Sequence, residues 1–227
     1  QHSVVLWKYK FLKKTMNIST NPYNQINNTT SNPAFGAVRV DKVKLLKNKG
    51  NGTYKAIKAN ILELDPYNAK DKKIINKLRT DWKRTEYTHT ICDNFFNQKN
   101  KTDRFFAIQT KSGFKKQITN LMQIDAAFDE AVKKIKICIK YLQSAPNIAN
   151  QLTPEVKGSG EVALYEAVKI ANKNNAKSVF LFSTNDNFYE KAGLNKEFEI
   201  ANCSLFNLSE EKFANFLNRV KTKYNFK

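Results

Sequence analysis

The chain has 227 residues, room for one sizeable hydrophobic core with an appended segment. Its 39 Lys and Arg against 20 Asp and Glu leave a formal net charge of +19, and no run approaches the ~20 consecutive apolar residues that a membrane-spanning helix needs. Such a charge attracts nucleic acid, acidic protein, a membrane surface or a phosphorylated cofactor. The Lys excess also comes with an excess of Asn and Ile, as a nucleotide-composition bias would leave it, so charge alone selects no partner.

Cys92, Cys138 and Cys203 are scattered, odd in number and without CxxC spacing. That argues against a disulfide framework and a zinc site, and fits a reducing, cytoplasmic setting. The two histidines, His2 and His89, are too few for a His-centred triad or a multi-histidine metal site. His89 reads as a surface or packing residue of a helix.

Residues 1–15 (QHSVVLWKYKFLKKT) are basic and precede Met16. Val4-Val5-Leu6-Trp7 is too short for a secretory apolar region, and no small-residue cleavage site follows. The stretch reads either as a basic amphipathic anchor or as a leader ahead of a natural start at Met16. Residues 17–36, crowded with Asn, Thr and Ser around Pro22 and Pro33, bury too little apolar surface to offset chain entropy. We expect a leader and flexible tail over 1–36 and a single domain over 37–227.

Val38, Val40, Val43 and Leu45 predict a strand whose alternation slips between Val40 and Val43. Asn48-Lys49-Gly50-Asn51-Gly52 is a turn, and Thr53 to Leu64 the returning strand of a hairpin. After Asp65-Pro66, the spacing of Ile74, Ile75, Leu78 and Trp82 predicts a helix from near Asp71; Tyr87, Ile91 and Phe95 predict a second one ending by Asn100. A three-strand meander follows, over Phe105–Thr110, Lys116–Phe128 and Val132–Gln143. In its third strand Ile135, Ile137, Ile139 and Tyr141 alternate with Lys134, Lys136, Cys138 and Lys140, predicting one buried and one wet face. Pro146 ends it, and 147–156 reads as an irregular loop.

Gly158-Ser159-Gly160 then opens a helix carried by Val162, Leu164, Ala167, Val168 and Ala171, and Ser178–Ser183 (SVFLFS) reads as a buried strand. A Gly-rich turn at a helix N-terminus either cradles a phosphate or simply caps the helix. A last strand is expected around Phe198–Phe206. Ser209, followed by Glu210 and Glu211, predicts an N-cap, and Phe213, Phe216, Leu217, Val220 and Tyr224 make an apolar helical stripe. There is no internal repeat.

Residues 157–194 resemble the acyl-CoA-binding core of the GNAT N-acetyltransferase superfamily. Gly158-Ser159-Gly160 is similar to the glycines of its Q/R-x-x-G-x-G/A turn. Asn185, Phe188, Tyr189, Gly193 and Leu194 are similar to its N-x-x-A-x-x-F-Y-x-x-x-G-F segment, with a shorter spacer after Asn185. Glu155 stands where the family usually has Gln or Arg, and an acid beside a pyrophosphate repels it unless the side chain turns away. The resemblance implies an α+β fold: a central mixed, mostly antiparallel sheet flanked by helices. An extra C-terminal helix, covering a sheet edge or a partner, would replace the hairpin with which family members commonly finish.

The resemblance also implies roles. Acetyl-CoA would be the cofactor, its pyrophosphate on main-chain amides of Lys157, Gly158, Ser159, Gly160, Glu161 and Val162. Its pantetheine arm would pair near Leu142, Gln143 and Ser144, with Asn185 and Phe188 contributing from the second signature. Tyr189 would protonate the departing thiolate, the alternative being a ring packed under the cofactor or in the core. No general base stands out: Asp125, Glu130, Tyr141 and a water chain are the candidates. Cys138 shows no sign of activation, which argues against an acyl-cysteine route.

The implied function is acyl-CoA-dependent N-acylation, an acetyl group passing directly to a primary amine. A chain this basic should repel polyamines, which favours an amine on a protein or an aminoacyl-tRNA, as in the acetyltransferase toxins of this superfamily. The alternative is a non-catalytic GNAT-like module that binds nucleic acid or an acidic protein through its basic surface.

Overall fold

The computed structural model describes residues 18–19, 37–50, 52–82, 85, 87–97, 100, 102–112, 115–149 and 151–226. The leader expected over 1–15 lies outside these, as does the expected tail apart from the two-residue strand β1 (Ile18–Ser19), which pairs with Asp129 and Phe128.

The elements follow in the order β2 (Val38–Asn48), β3 (Tyr54–Leu64), α1 (Ala69–Asp81), α2 (Thr88–Asn97), β4 (Arg104–Ser112), β5 (Lys115–Asp129) and β6 (Lys134–Ser144). Then come β7 (Val156–Lys157), α3 (Ser159–Lys173), β8 (Ser178–Ser183), α4 (Asp186–Lys191), β9 (Asn195–Ile200), β10 (Cys203–Ser209) and, after a 3₁₀ turn at Glu210–Lys212, α5 (Phe213–Tyr224). They build one mixed sheet of order β7-β2-β3-β4-β5-β6-β8-β10-β9. Among the described residues every pairing is antiparallel except β6 with β8.

Local chemistry accounts for most boundaries. The slipped alternation in β2 is a β-bulge: Arg39 faces Leu62 and Asp41 faces Ile61, leaving Val40 as the extra residue. The β2–β3 turn uses Gly50 and Gly52 at φ 98° and 77°, where only glycine is unstrained. Helix α1 starts two residues before the expected Asp71, because the Asn68 side chain accepts from the amides of Lys70 and Asp71. Asp71 is buried and accepts from the amides of Ala37 and Asp65, tying the start of β2 to the helix.

Both faces of the sheet carry a core. On one side α3 and α5 pack over Val43, Leu45, Phe106, Met122, Ile137 and Ile139. On the other, α1 and α2 set Ile75, Trp82, Ile91 and Phe95 against Leu62, Leu64, Phe105 and Leu121. Helix α3 is buried nearly all round, including Glu166, so it is a central helix and not an amphipathic surface one. The stripe on α5 is core: Phe213, Phe216, Val220 and Tyr224 are buried and Leu217 half-buried, and Tyr165 of α3 meets Phe226 just beyond the helix at a ring distance of 4.0 Å.

Four expectations need correcting. The single strand expected around Phe198–Phe206 is a hairpin, β9 and β10, turning at Ala201 and Asn202 with φ of 47° and 61°. A hairpin therefore precedes the extra helix and is not replaced by it. The third meander strand starts at Lys134, since the reversal with Lys133 at φ 52° takes up Val132. The loop expected over 147–156 ends in a strand, where Val156 and Lys157 pair with Lys47 and Leu46. Ser209 caps the 3₁₀ turn without a side-chain bond to its amides; its hydroxyl donates instead to Glu211.

Candidate functional site: the cleft at the β6–β8 splay

Strands β6 and β8 pair at only three positions, Lys136–Ser178, Ile137–Val179 and Cys138–Phe180. Beyond them the strands part, although β6 stays paired to β5 as far as Ser144 and β8 to β10 as far as Ser183. The physical cause is a bulge. Gln123 faces Tyr141 and Ile124 faces Ile139, so Lys140 is an extra residue that bends β6 away from its neighbour. The parting leaves one unpaired strand edge on each side of a wedge.

The bulge also overturns the alternation expected along β6. Ile135, Ile137 and Ile139 do share the core under α3, but Tyr141 falls on the opposite side, where it packs against the α1/α2 core and meets the Tyr87 ring at 5.5 Å. The polar face is wet only at its start, at Lys134. Cys138 is buried among Phe180 and Leu205, and the Lys140 ammonium is enclosed 2.8 Å from Asp103 and 3.8 Å from Asp125. Burial opposes the charged ammonium, yet the carboxylates of Asp103 and Asp125 outweigh it and hold its pKa above the ordinary lysine value. Burial likewise raises the Asp103 carboxyl, against the pull of Lys140.

The wedge opens into a cleft of about 1030 Å³. Ten of the residues singled out from the sequence line it: Leu142, Gln143 and Ser144 on β6, Lys157, Gly158, Ser159 and Gly160 at the start of α3, and Asn185, Phe188 and Tyr189 at α4. The side chains of Glu161 and Val162 do not. Val162 is fully buried in the core, while Glu161 turns to α5, where Tyr224 donates to it at 2.8 Å and Lys223 at 2.6 Å. Of these two positions only Glu161 keeps a main-chain amide for the cleft, since the Val162 amide donates to the Gly158 carbonyl at 3.0 Å. Glu155 also points elsewhere, 3.7 Å from Lys47 and accepting from Asn147.

The turn itself is built on glycine for two reasons. Gly158 caps α3 at φ 97°, with no side chain bonding the first amides of the helix. A Cβ there would stand 2.3 Å from the Tyr224 ring, and one at Gly160 would stand 2.9 Å from Cζ of Phe188. The first-turn amides of α3 thus face the cleft end of the helix dipole without a side-chain cap. Asn185 is itself a cap: its carbonyl oxygen accepts from the Phe188 amide at 3.3 Å and sets the start of α4.

Tyr189, 7% exposed, sits between Phe188 and Phe206 at ring distances of 4.8 and 5.3 Å. Burial pushes its phenol well above the usual tyrosine value, a hydrogen bond with Ser183 opposing and the neighbouring Tyr87 adding slightly. Among the base candidates, Tyr141 lines the cleft, its phenol also raised by burial. Asp125 instead accepts from Asn100 and Thr102 behind β6, and Glu130 pairs with Lys133 in the β5–β6 reversal. No Asp, Glu or His lines the cleft among the described residues, whereas Lys140 and Lys157 do. His89 is a half-buried residue of α2 away from the lining, and no metal-ligand cluster occurs among the described residues. No helix there is long and apolar enough to cross a membrane. Sequence reasoning missed Tyr87, Lys140 and Cys203 as lining residues; no motif marks them, since Lys140 sits at the bulge, Cys203 follows the β9–β10 turn, and Tyr87, just ahead of α2, comes to the cleft beside Tyr141.

No protein-family model matches the chain, and no curated protein matches it. Several solved structures are similar at low identity. The Campylobacter jejuni N-acetyltransferase PseH is 14% identical, the match covering 67% of this chain and 98% of that one with a TM-score of 0.41. FdhC, described as a nucleotide-linked sugar GNAT, is 14% identical over 73% and 93% at a TM-score of 0.47. A GNAT-family acetyltransferase from Listeria monocytogenes is 14% identical over 66% and 95% at 0.44. The strand order, the lone parallel pair β6–β8 and the splay beyond Cys138 make this chain a GNAT-like α+β fold, as the resemblance of residues 157–194 implied.

Proposed function

We infer that the chain, as one domain from residue 37 onward, is an acyl-CoA-dependent N-acyltransferase that moves an acetyl group from acetyl-CoA to a primary amine by direct transfer. One observation carries this reading: the uncapped Gly158–Gly160 turn and Tyr189 line the same cleft, at the splay where β6 and β8 stop pairing. The residues fit the cofactor chemically. First-turn amides of α3 suit a diphosphate, glycine at 158 and 160 keeps Cβ atoms out of the way, and the free edge at Leu142–Ser144 offers main-chain groups to an amide-bearing arm.

Acetyl-CoA would supply an activated acyl carbon and a thiolate leaving group; the protein's part is placement and proton transfer. Burial keeps Tyr189 protonated and also weakens it as an acid, so its proton passes to sulfur only as thiolate charge develops on breaking of the C–S bond. The attacking amine must lose a proton as the C–N bond forms. With no described carboxylate or imidazole lining the cleft, water is the acceptor of that proton. The same lack of carboxylates disfavours a polyamine and supports an amine on a protein or an aminoacyl-tRNA.

Calorimetry with acetyl-CoA is the direct test: we expect saturable binding, and none at millimolar ligand would refute the assignment. A second reading, a non-catalytic binding module of the same fold, is favoured by the absence of an obvious base. It predicts no release of free thiol with any amine, even when acetyl-CoA binds.

A further inference from the structure

Across four neighbouring strands the register sets lysines in a single row. Lys44 pairs directly with Lys58, and Lys111 directly with Lys116. The pairing of Ala59 with Thr110 brings Lys58 and Lys111 into the same line. All four are exposed and share the α1/α2 side of the sheet, beyond the reach of those helices. One step along on this face lies Lys42, paired with Asn60, which in turn pairs with Gln109. One step the other way, Lys157 pairs with Leu46 and reaches the cleft.

Like charges directly opposite each other destabilise a sheet. Here two such pairs stand side by side, and among the described residues none of Lys42, Lys44, Lys58, Lys111 and Lys116 is in an ion pair. The chain's own first 36 residues contain no Asp or Glu, and a second copy carries the same +19, so neither neutralises the face. Strand spacing makes the row ~15 Å wide, a length of duplex that carries on the order of nine phosphates. The face has little apolar surface to enter a lipid layer, Leu46 and Ala56 being its exposed apolar residues among those named.

We propose that this lysine face docks the phosphate backbone of an RNA duplex, without sequence preference. RNA is the choice because the paired amides of Asn60 and Gln109 sit at the edge of the array, where they meet 2′-hydroxyls that DNA lacks. The face contains no helix or ribbon to enter a major groove, so it touches backbone and shape alone. The inference goes beyond acyl transfer and is read without acetyl-CoA.

The test is fluorescence anisotropy with a short RNA duplex, and a DNA duplex of the same sequence, across a salt series. The full chain is compared with Lys44→Gln/Lys58→Gln/Lys111→Gln/Lys116→Gln. The parent should show a slope of log affinity on log salt steeper than the variant's by about 4, close to one unit per lysine. The variant should melt no lower than the parent, because a repulsive row has been removed. RNA should bind more tightly than DNA, and Asn60→Ala/Gln109→Ala should narrow that gap. Equal slopes for parent and variant, equal affinity for RNA and DNA, or capture on phosphatidylserine vesicles without any RNA binding would each overturn the proposal.

Discussion

Phe188 closes over Gly160, its Cζ standing 2.9 Å from where a Cβ at that position would fall. The ring thereby fixes the spacing between the α3 turn and Tyr189, the next residue of α4. Gly160→Ala should push the half-buried ring aside at a cost of about 1–2 kcal/mol, most of it appearing as weaker acetyl-CoA binding. Adding Phe188→Leu should recover part of the loss. Calorimetry on both variants checks this, and equal affinity of Gly160→Ala and parent would contradict it.

Gly158 is the more severe case. A side chain there meets both a left-handed backbone and the Tyr224 ring, which is buried and held by Glu161. Gly158→Ala should cost about 2–5 kcal/mol in urea unfolding. Combining it with Tyr224→Ala should relieve only the steric share, leaving the backbone strain in place.

Tyr189→Phe should lower turnover about a hundredfold or more while leaving acetyl-CoA affinity within a few fold, the pattern of a lost proton donor. The sign of the pH dependence follows from the raised phenol. A group that must be protonated, and whose pKa lies above the usual tyrosine value, loses no activity as pH rises toward 10. The parent rate should therefore show no falling limb below that pH. A limb that appears there and vanishes in Tyr189→Phe would contradict the burial argument.

Lys140 holds the bulge that opens the cleft. Lys140→Met would leave Asp103 and Asp125 buried without their cation, at a cost of about 3–5 kcal/mol near neutral pH. Asp103 already has its carboxyl raised by burial, and losing the ammonium raises it further. A carboxyl with a folded pKa above its unfolded value destabilises the fold as pH rises through that window. Lys140→Met should therefore recover stability, relative to the parent, as pH falls from neutral and the Asp103 carboxyl, already raised by burial, takes up a proton. Thermal melts across that range check it.

Period-two patterning made β2 to β6 readable as strands, and even the slip at Val40 was visible as a break in alternation. It misled at Tyr141, because a one-residue bulge at Lys140 reverses every later side chain, and a lysine carries no mark of bulging. The β9–β10 turn went unread for a similar reason: Ala201 and Asn202 adopt positive φ without glycine or proline to signal it. Tyr87 and Cys203 reach the cleft through contacts between distant elements, for which local spacing holds no information.

By itself, the chain's order of residues determined strands β2 to β6 and β8, the longer helices, the glycine turn and the tyrosine downstream, because each is set by local propensity and spacing. Whether turn and phenol face one space was decided by the tertiary structure alone, since that depends on where two strands stop pairing. It also decided that Glu155 and Glu161 carry their charge away from the turn, toward Lys47 and α5, a matter of side-chain direction that follows from packing. The lysine row likewise arises only once register aligns four strands, because cross-strand neighbours are far apart in sequence and meet through the sheet.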